Sequence, residues 1–161
     1  AGFRDQKDQK TVIRALKHLP QDYKLLFVGD GTNKLKYIEL SKKLDLYDRV
    51  FFLGNRSDVP QLMKTSDIVV LSSHYEGLSL SSIEGMASGK PFIASDVPGL
   101  TEVVKDAGVL FQVGNEKELA NHIIHLISDK RYYDQIVKSC LERAKKYDIE
   151  EHYLLQSFDK W

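Results

Sequence analysis

Ile68-Val69-Val70-Leu71-Ser72-Ser73-His74-Tyr75-Glu76-Gly77-Leu78-Ser79-Leu80-Ser81-Ser82-Ile83-Glu84, closed by Gly89-Lys90-Pro91, is the stretch that decides the fold. Its first four residues are apolar and mostly β-branched, as a strand buried in a parallel sheet should be. A turn follows, and a helix is expected from near Leu78 to Gly89, where Gly and Pro give the usual C-terminal stop. Gly77 allows a sharp turn and a close approach of a ligand to the backbone. A helix N-terminus offers unpaired N–H groups and the positive end of the dipole, so it attracts phosphate. Seven residues separate Glu76, in the turn, from Glu84, inside the helix. Helical side chains lean toward the N-terminus, so Glu84 can reach a ligand there. An ionised carboxylate only accepts hydrogen bonds, and beside a phosphate its suitable targets are hydroxyls. A phosphate with a polyol on each side describes a nucleotide-sugar.

Outward from this stretch, strand-like and helical runs alternate. An opening strand is expected at the start, then a helix over 11–19 with apolar residues at helical spacing and Pro20 as its stop. Strands are expected over 24–28, 49–53, 67–71, 91–94 and 109–113, with helices over 33–44 and 59–65 and a turn and short helix over 97–104. Asn115, with Glu118 three residues on, starts a further helix by a capping-box pairing. Leu119, Ile123, Leu126 and Ile127 form its apolar stripe, and Leu80, Ile83 and Ala87 form that of the motif helix. Two more helices are expected, over 130–146 and from residue 150 to the end. The alternation gives an α/β fold with a doubly wound parallel sheet, Rossmann-like, in one domain over residues 1–161. The sheet and its helices are expected to supply a complete core.

Ligands of such sheets bind outside the carboxyl ends of the strands. That edge collects residues 2–7, 29–32, 54–58, 72–77 and 95–99. The chain has 161 residues with 23 basic and 23 acidic side chains, a formal net charge of zero, so no electrostatic footprint for nucleic acid is present. One cysteine, Cys140, excludes an internal disulfide and fits a reducing compartment. No apolar run approaches the roughly 20 residues of a membrane span. Lys34 stands where G-x-G-x-x-G needs its third glycine, which leaves NAD binding unsupported, and no P-loop occurs. Neither an Asp-x-Asp nor a His/Cys/Asp cluster at metal spacing is seen, so no metal is expected. His74 reads as a loop residue that shapes the pocket, and His18, His122, His125 and His152 as helix-surface residues.

The motif stretch resembles the E-x7-E region of retaining GT-B glycosyltransferases of group 1 (family 4), and the resemblance runs almost end to end. Gly2-Phe3-Arg4-Asp5-Gln6-Lys7-Asp8 is similar to the family's opening motif with its phosphate-binding lysine. Leu26-Phe27-Val28-Gly29-Asp30-Gly31 is similar to its second strand and turn, and Phe51-Phe52-Leu53-Gly54 to the strand and loop that cup the base. Tyr147-Asp148-Ile149-Glu150-Glu151-His152-Tyr153 is similar to the helix that returns to the other domain. There is one departure. The family's arginine five residues before the lysine is Gly2 here, so either Arg4 compensates from the next turn or the phosphate grip is weaker.

The resemblance implies the C-terminal, donor-binding half of a GT-B enzyme that transfers a sugar with retention. It implies catalytic roles for Lys7, on the departing diphosphate, and Glu76, on the transferred sugar. It implies donor contacts from Arg4, Gly29, Gly54, Asn55, Arg56, Gly77, Leu78, Ser79 and Glu84, the last on the ribose. The donor is expected to be a UDP- or GDP-sugar, with no cofactor and no metal. Expected partners are the N-terminal acceptor domain, reached by residues 149–161, and a glycan or lipid-linked acceptor of bacterial surface polysaccharide synthesis. The chain is read as an excised fragment, cytoplasmic and inactive alone, from a parent enzyme at the inner face of the membrane. A GT-B-like nucleotide-sugar epimerase and a non-catalytic nucleotide-binding module remain as alternatives.

Overall fold

The computed structural model describes residues 2–77 and 79–148. Within them the chain runs α1 (Gln9–Ala15), β1 (Leu25–Phe27), α2 (Lys34–Lys43), β2 (Val50–Phe52), α3 (Val59–Thr65), β3 (Val69–Leu71), α4 (Leu80–Ala87), β4 (Phe92–Ser95), α5 (Thr101–Val104), β5 (Val109–Phe111), α6 (Glu116–Ser128) and α7 (Lys130–Asp148). Single 3-10 turns follow α1 and precede β2. The anticipated order of strands and helices is observed from α1 to α7, with strands shortened to their apolar centres. The terminal helix expected over 149–161 lies outside the described residues, as does Leu78.

Among the described residues the named strands pair in parallel. β1 pairs with β2 in the register Leu25↔Val50, β3 with β4 in the register Val69↔Phe92, and β4 with β5 in the register Ile93↔Val109. The pairings form two ladders, β1-β2 and β3-β4-β5. Residues 2–6 carry no strand pairing, in contrast to the opening strand expected from the sequence. Lys7 N–H donates back to the Arg4 carbonyl at 2.9 Å, which folds this stretch into a turn.

Phe3 anchors that turn. Its ring is fully buried, meeting Phe27 of β1 edge-on at 5.5 Å and Phe52 of β2 at 5.8 Å between centroids. Around it α1, α2 and α6 bury Ile13, Leu16, Tyr37, Leu119 and Leu126 against Val50, Ile93 and Phe111. A second cluster joins Met86 of α4, Phe92 of β4, Leu100, Val104 and Cys140 of α7. Gly85 lets α4 lie directly on β4, since a Cβ there would stand 2.4 Å from the Phe92 ring.

Three local expectations are corrected. Ile127 is exposed, because at 3.6 residues per turn it sits about 80° round the helix from Leu119. Leu80 is exposed at the N-terminal tip of α4, before the helix reaches the core. The Asn115 side chain caps Glu118 N–H at 3.0 Å, but the Glu118 carboxylate accepts from Gln112 N–H at 2.9 Å, so the capping box is not reciprocal.

Candidate functional site

The loops at the carboxyl ends of the strands are tied into one body by the opening turn. Phe3 N–H donates to the Asp30 carbonyl at 3.0 Å, just past β1, and Asn33 N–H donates to the Phe3 carbonyl at 3.1 Å. At its other end the turn meets the loop after β3. Asp8 N–H donates to the Ser72 carbonyl at 3.1 Å, and the Ser72 hydroxyl returns a bond to the Asp8 carbonyl at 2.8 Å. His74 N–H donates to the Gln6 carbonyl at 2.9 Å. The Asp8 side chain caps α1 at Thr11 N–H, 3.3 Å away, which fixes where the helix starts and hence where Lys7 points.

Lys7 and Glu76 therefore meet, although 69 residues separate them. The Lys7 ammonium forms an ion pair with Glu76 Oε1 and donates to Ser73 Oγ at 3.3 Å. The Ser73 hydroxyl donates to the same carboxylate oxygen at 2.7 Å, and Gln6 Nε2 donates to Glu76 Oε2 at 3.3 Å and to the Tyr75 carbonyl at 3.1 Å. The side chains of Lys7 and Glu76 keep only 15% and 9% of their surface in water, so the pair is shielded and the carboxylate is held by three donors. Gln6 and Ser73 had no signal in the sequence beyond their position next to the motif residues. Gly99, which the sequence placed on the binding edge without a role, sits with φ +87° where a Cβ would lie 2.4 Å from the Glu76 carbonyl oxygen and 2.6 Å from that of Gly77. The loop after β4 thus presses on the backbone of the turn that carries Glu76.

The remaining candidates lie around this pair. Gly77 has φ outside the left-handed region, and a Cβ there would meet nothing within 4 Å, so the residue contributes open space rather than a special turn. Ser79 is the N-cap of α4: its buried hydroxyl accepts from Ser82 N–H at 3.3 Å. Glu84, one turn further along α4, is half-buried with no hydrogen bond or ion pair among the described residues. Burial pushes its carboxyl above the usual carboxylate range. The Arg4 side chain is exposed in the same turn as Lys7, without an ion pair among the described residues. Gly29, at φ +124°, donates its N–H to the Gly54 carbonyl at 2.8 Å and so joins the loops after β1 and β2. Lys34 pairs with Asp30 at 3.7 Å beside them. Asn55 is exposed, and Arg56 forks onto Asp58 at 2.6 and 2.7 Å. Among the described residues no group of three or more His, Cys, Asp or Glu side chains could hold a metal ion. No described helix is long and apolar enough to cross a membrane.

Glu76 of the shielded Lys–Glu pair, a capped helix N-terminus and a second half-buried carboxylate follow one strand, β3, in the chain. Residues 1–147 match the family described as glycosyl transferases group 1. The chain belongs to that family. A group 1 relative from Bacillus anthracis, N-acetyl-alpha-D-glucosaminyl L-malate synthase, is 34% identical over 155 residues, covering 94% of this chain and 40% of its own length. The UDP-Gal:alpha-D-GlcNAc-diphosphoundecaprenol alpha-1,3-galactosyltransferase of Escherichia coli is 33% identical over 134 residues, with 78% of this chain and 34% of its own covered. Among solved structures, Anabaena HepE in complex with UDP superposes with a TM-score of 0.85 at 28% identity, over 99% of this chain and 45% of that one. The C-terminal domain of a group 1 protein from Francisella tularensis gives 0.78 at 26% identity, over 90% and 81%. The chain thus spans less than half the length of these curated relatives and matches the C-terminal domain of a GT-B glycosyltransferase.

Proposed function

We propose that this group 1 domain binds a nucleotide-sugar, UDP- or GDP-linked, and is the donor half of an enzyme that transfers the sugar with retention. The observation that carries the reading is the meeting of Lys7 and Glu76 beside the N-terminus of α4, with Glu84 half-buried and without a hydrogen bond or ion pair among the described residues on the same helix. It is supported by the UDP complex of HepE and by the nucleotide-sugar named for the Escherichia coli relative.

The roles follow from charge. A diphosphate placed beyond Gly77 meets free backbone N–H groups of α4 and the Lys7 ammonium, which stabilise the charge that grows on it as the bond to the sugar breaks. Arg4 adds a second cation from the same turn. Glu76, held by Ser73 and Gln6, directs its carboxylate to hydroxyls of the transferred sugar and fixes the reacting carbon relative to the leaving group. Glu84 accepts from the ribose hydroxyls; a carboxylate kept half out of water gains more from such donors than a solvated one. Gly29, Gly54, Asn55 and Arg56 line the base, and Ser79 serves by capping the helix. No metal takes part in this reading. The N-terminal acceptor domain, a glycan or lipid-linked acceptor of bacterial surface polysaccharide, and a cytoplasmic site at the inner membrane face complete it.

Ligand-observed NMR with a panel of nucleosides, nucleoside diphosphates and nucleotide-sugars tests it. Diphosphates should bind, and Lys7→Ala should weaken them by about 1.5–3 kcal/mol, the range for hydrogen bonds to charged groups, while nucleosides change little. Equal losses for both ligand classes would remove Lys7 from the phosphate site.

A further inference from the structure

The carboxyl end of β4 reaches the Lys7–Glu76 pair through two serines. Val69 N–H donates to the Pro91 carbonyl at 3.0 Å, and β3 and β4 stay in register as far as Leu71↔Ala94. The even spacing of a parallel ladder would next bring Ser73 N–H to the Ser95 carbonyl. That carbonyl is turned away and accepts from Val97 N–H at 3.0 Å. The Ser95 hydroxyl stands in its place and accepts from Ser73 N–H at 2.9 Å. Both serines are fully buried, so bulk water reaches neither partner of this bond. Ser95 rests on a fixed support. It pairs with Phe111 of β5, and the next residue, Asp96, donates its N–H to the Phe111 carbonyl at 2.8 Å. The Asp96 carboxylate accepts from Thr101 Oγ1 at 2.6 Å and from Gln112 Nε2 at 3.2 Å.

The bond matters because of what Ser73 does with its own hydroxyl. A hydroxyl has one proton to give and lone pairs to offer. That of Ser73 gives its proton to Glu76 Oε1 at 2.7 Å and accepts from Lys7 Nζ at 3.3 Å, so it touches both members of the pair. Its aim is set by the Ser73 backbone, which is tied to the opening turn through Ser72 and His74 and to β4 through Ser95. We propose that Ser95 is a positioning residue of the donor site, acting through Ser73 to keep Glu76 held when Lys7 leaves it for a phosphate. The hold on the pair stands on the geometry; the part played by a phosphate rests on the nucleotide-sugar reading. Without the Ser95 hydroxyl, Ser73 loses its aim, and a Glu76 whose lysine is engaged elsewhere is left with Gln6 Nε2 at 3.3 Å. The loop after β4 grips Glu76 twice, by Ser95 through Ser73 and by Gly99 against the backbone.

Thermal unfolding of Ser95→Ala in three backgrounds tests this without a nucleotide. In the native chain the substitution lowers the midpoint by the cost of a Ser73 N–H left without its acceptor. In Lys7→Met, where Glu76 depends on Ser73 and Gln6, it should lower the midpoint by about 3 °C more. In Lys7→Met combined with Ser73→Ala the extra loss should vanish, because no hydroxyl is left to misplace. Equal losses in all three backgrounds are what a merely structural serine gives, and would overturn the proposal. Ligand-observed NMR with UDP and GDP is the second readout. Ser95→Ala should weaken nucleotide binding about fivefold in the native chain and less than about twofold in Glu76→Gln, which has no carboxylate to strand. Equal weakening in both would also overturn the proposal. Binding of neither nucleotide removes the donor reading, and the melting cycle alone then decides the role of Ser95. If Ser95→Ala does not fold, Ser95→Cys, with a weaker acceptor at the same place, is taken through the same cycle and judged by the same outcomes.

Discussion

Lys7→Met removes the cation from a carboxylate that is 9% exposed. Stripping one partner from a fully buried pair costs 3–5 kcal/mol. Here Glu76 keeps the Ser73 hydroxyl at 2.7 Å and Gln6 Nε2 at 3.3 Å, and Lys7 is 15% exposed, so the expected cost falls to about 2 kcal/mol. Glu76→Gln leaves an ammonium that can turn to water, at about 1 kcal/mol. The double variant has no charge to strand and also loses about 1 kcal/mol, which gives a coupling of about 2 kcal/mol. At roughly 2–4 °C per kcal/mol for a domain of this size, Lys7→Met melts about 4–8 °C lower than the native chain. Adding Glu76→Gln to it should then raise the midpoint. Thermal unfolding of the four proteins, followed by circular dichroism, measures this. Additive losses, with the double variant the least stable, would refute the shielded pair. If Lys7 holds a diphosphate as proposed, the diphosphate competes with Glu76 for it, so Glu76→Gln should tighten nucleoside diphosphate binding severalfold while slowing sugar transfer in the parent enzyme.

Glu84 is half-buried without a hydrogen bond or ion pair among the described residues and its carboxyl is raised by burial, so the folded state favours the protonated form and stability falls as pH rises through that raised value. Glu84→Gln should raise the thermal midpoint at pH 7, yet weaken ribonucleotides more than 2′-deoxyribonucleotides in titration calorimetry; equal losses would separate Glu84 from the ribose. The Cys140 thiol is fully buried and pushed up to about 11 by burial, so iodoacetamide at pH 8 should label it only at the rate of unfolding, read by mass spectrometry. Gly99→Ala adds a Cβ 2.4 Å from the Glu76 carbonyl oxygen at φ +87°. It should destabilise by more than about 2 kcal/mol in denaturant unfolding and disrupt donor binding, whereas Gly89→Ala, strained in φ but with open space around it, should cost about 1–2 kcal/mol and leave binding intact.

The order of elements was legible because each strand is a short apolar run between turn residues, and each helix carries its own stop. The placement of Glu76 in the turn and of Glu84 in the helix was legible, because the apolar run before them and the Gly-Lys-Pro stop after them fix the strand, turn and helix. The ion pair between Lys7 and Glu76 was not, since spacing along a chain says nothing about contacts 69 residues apart. Ser79 was expected only as a donor contact; its role as the cap of α4, accepting from Ser82 N–H, was not read from the sequence. The opening strand was misplaced because Gly2-Phe3 looks extended, whereas Phe3 is buried by its ring and turned by the Arg4–Lys7 bond. Gly99 carries no sign in sequence of the carbonyls it must clear.

The separation of Lys7 from its partners has a consequence in time. On the ribosome Lys7 emerges before Ser73 and Glu76, which follow 66 and 69 residues later. At roughly 5–20 residues per second the lysine waits about 3–14 s before the carboxylate that will hold it exists outside the tunnel. During that interval Phe3 and the α1 face have only part of their cover. On the proposed reading, a donor meets a finished site only after β4 and the Gly99 loop have been made.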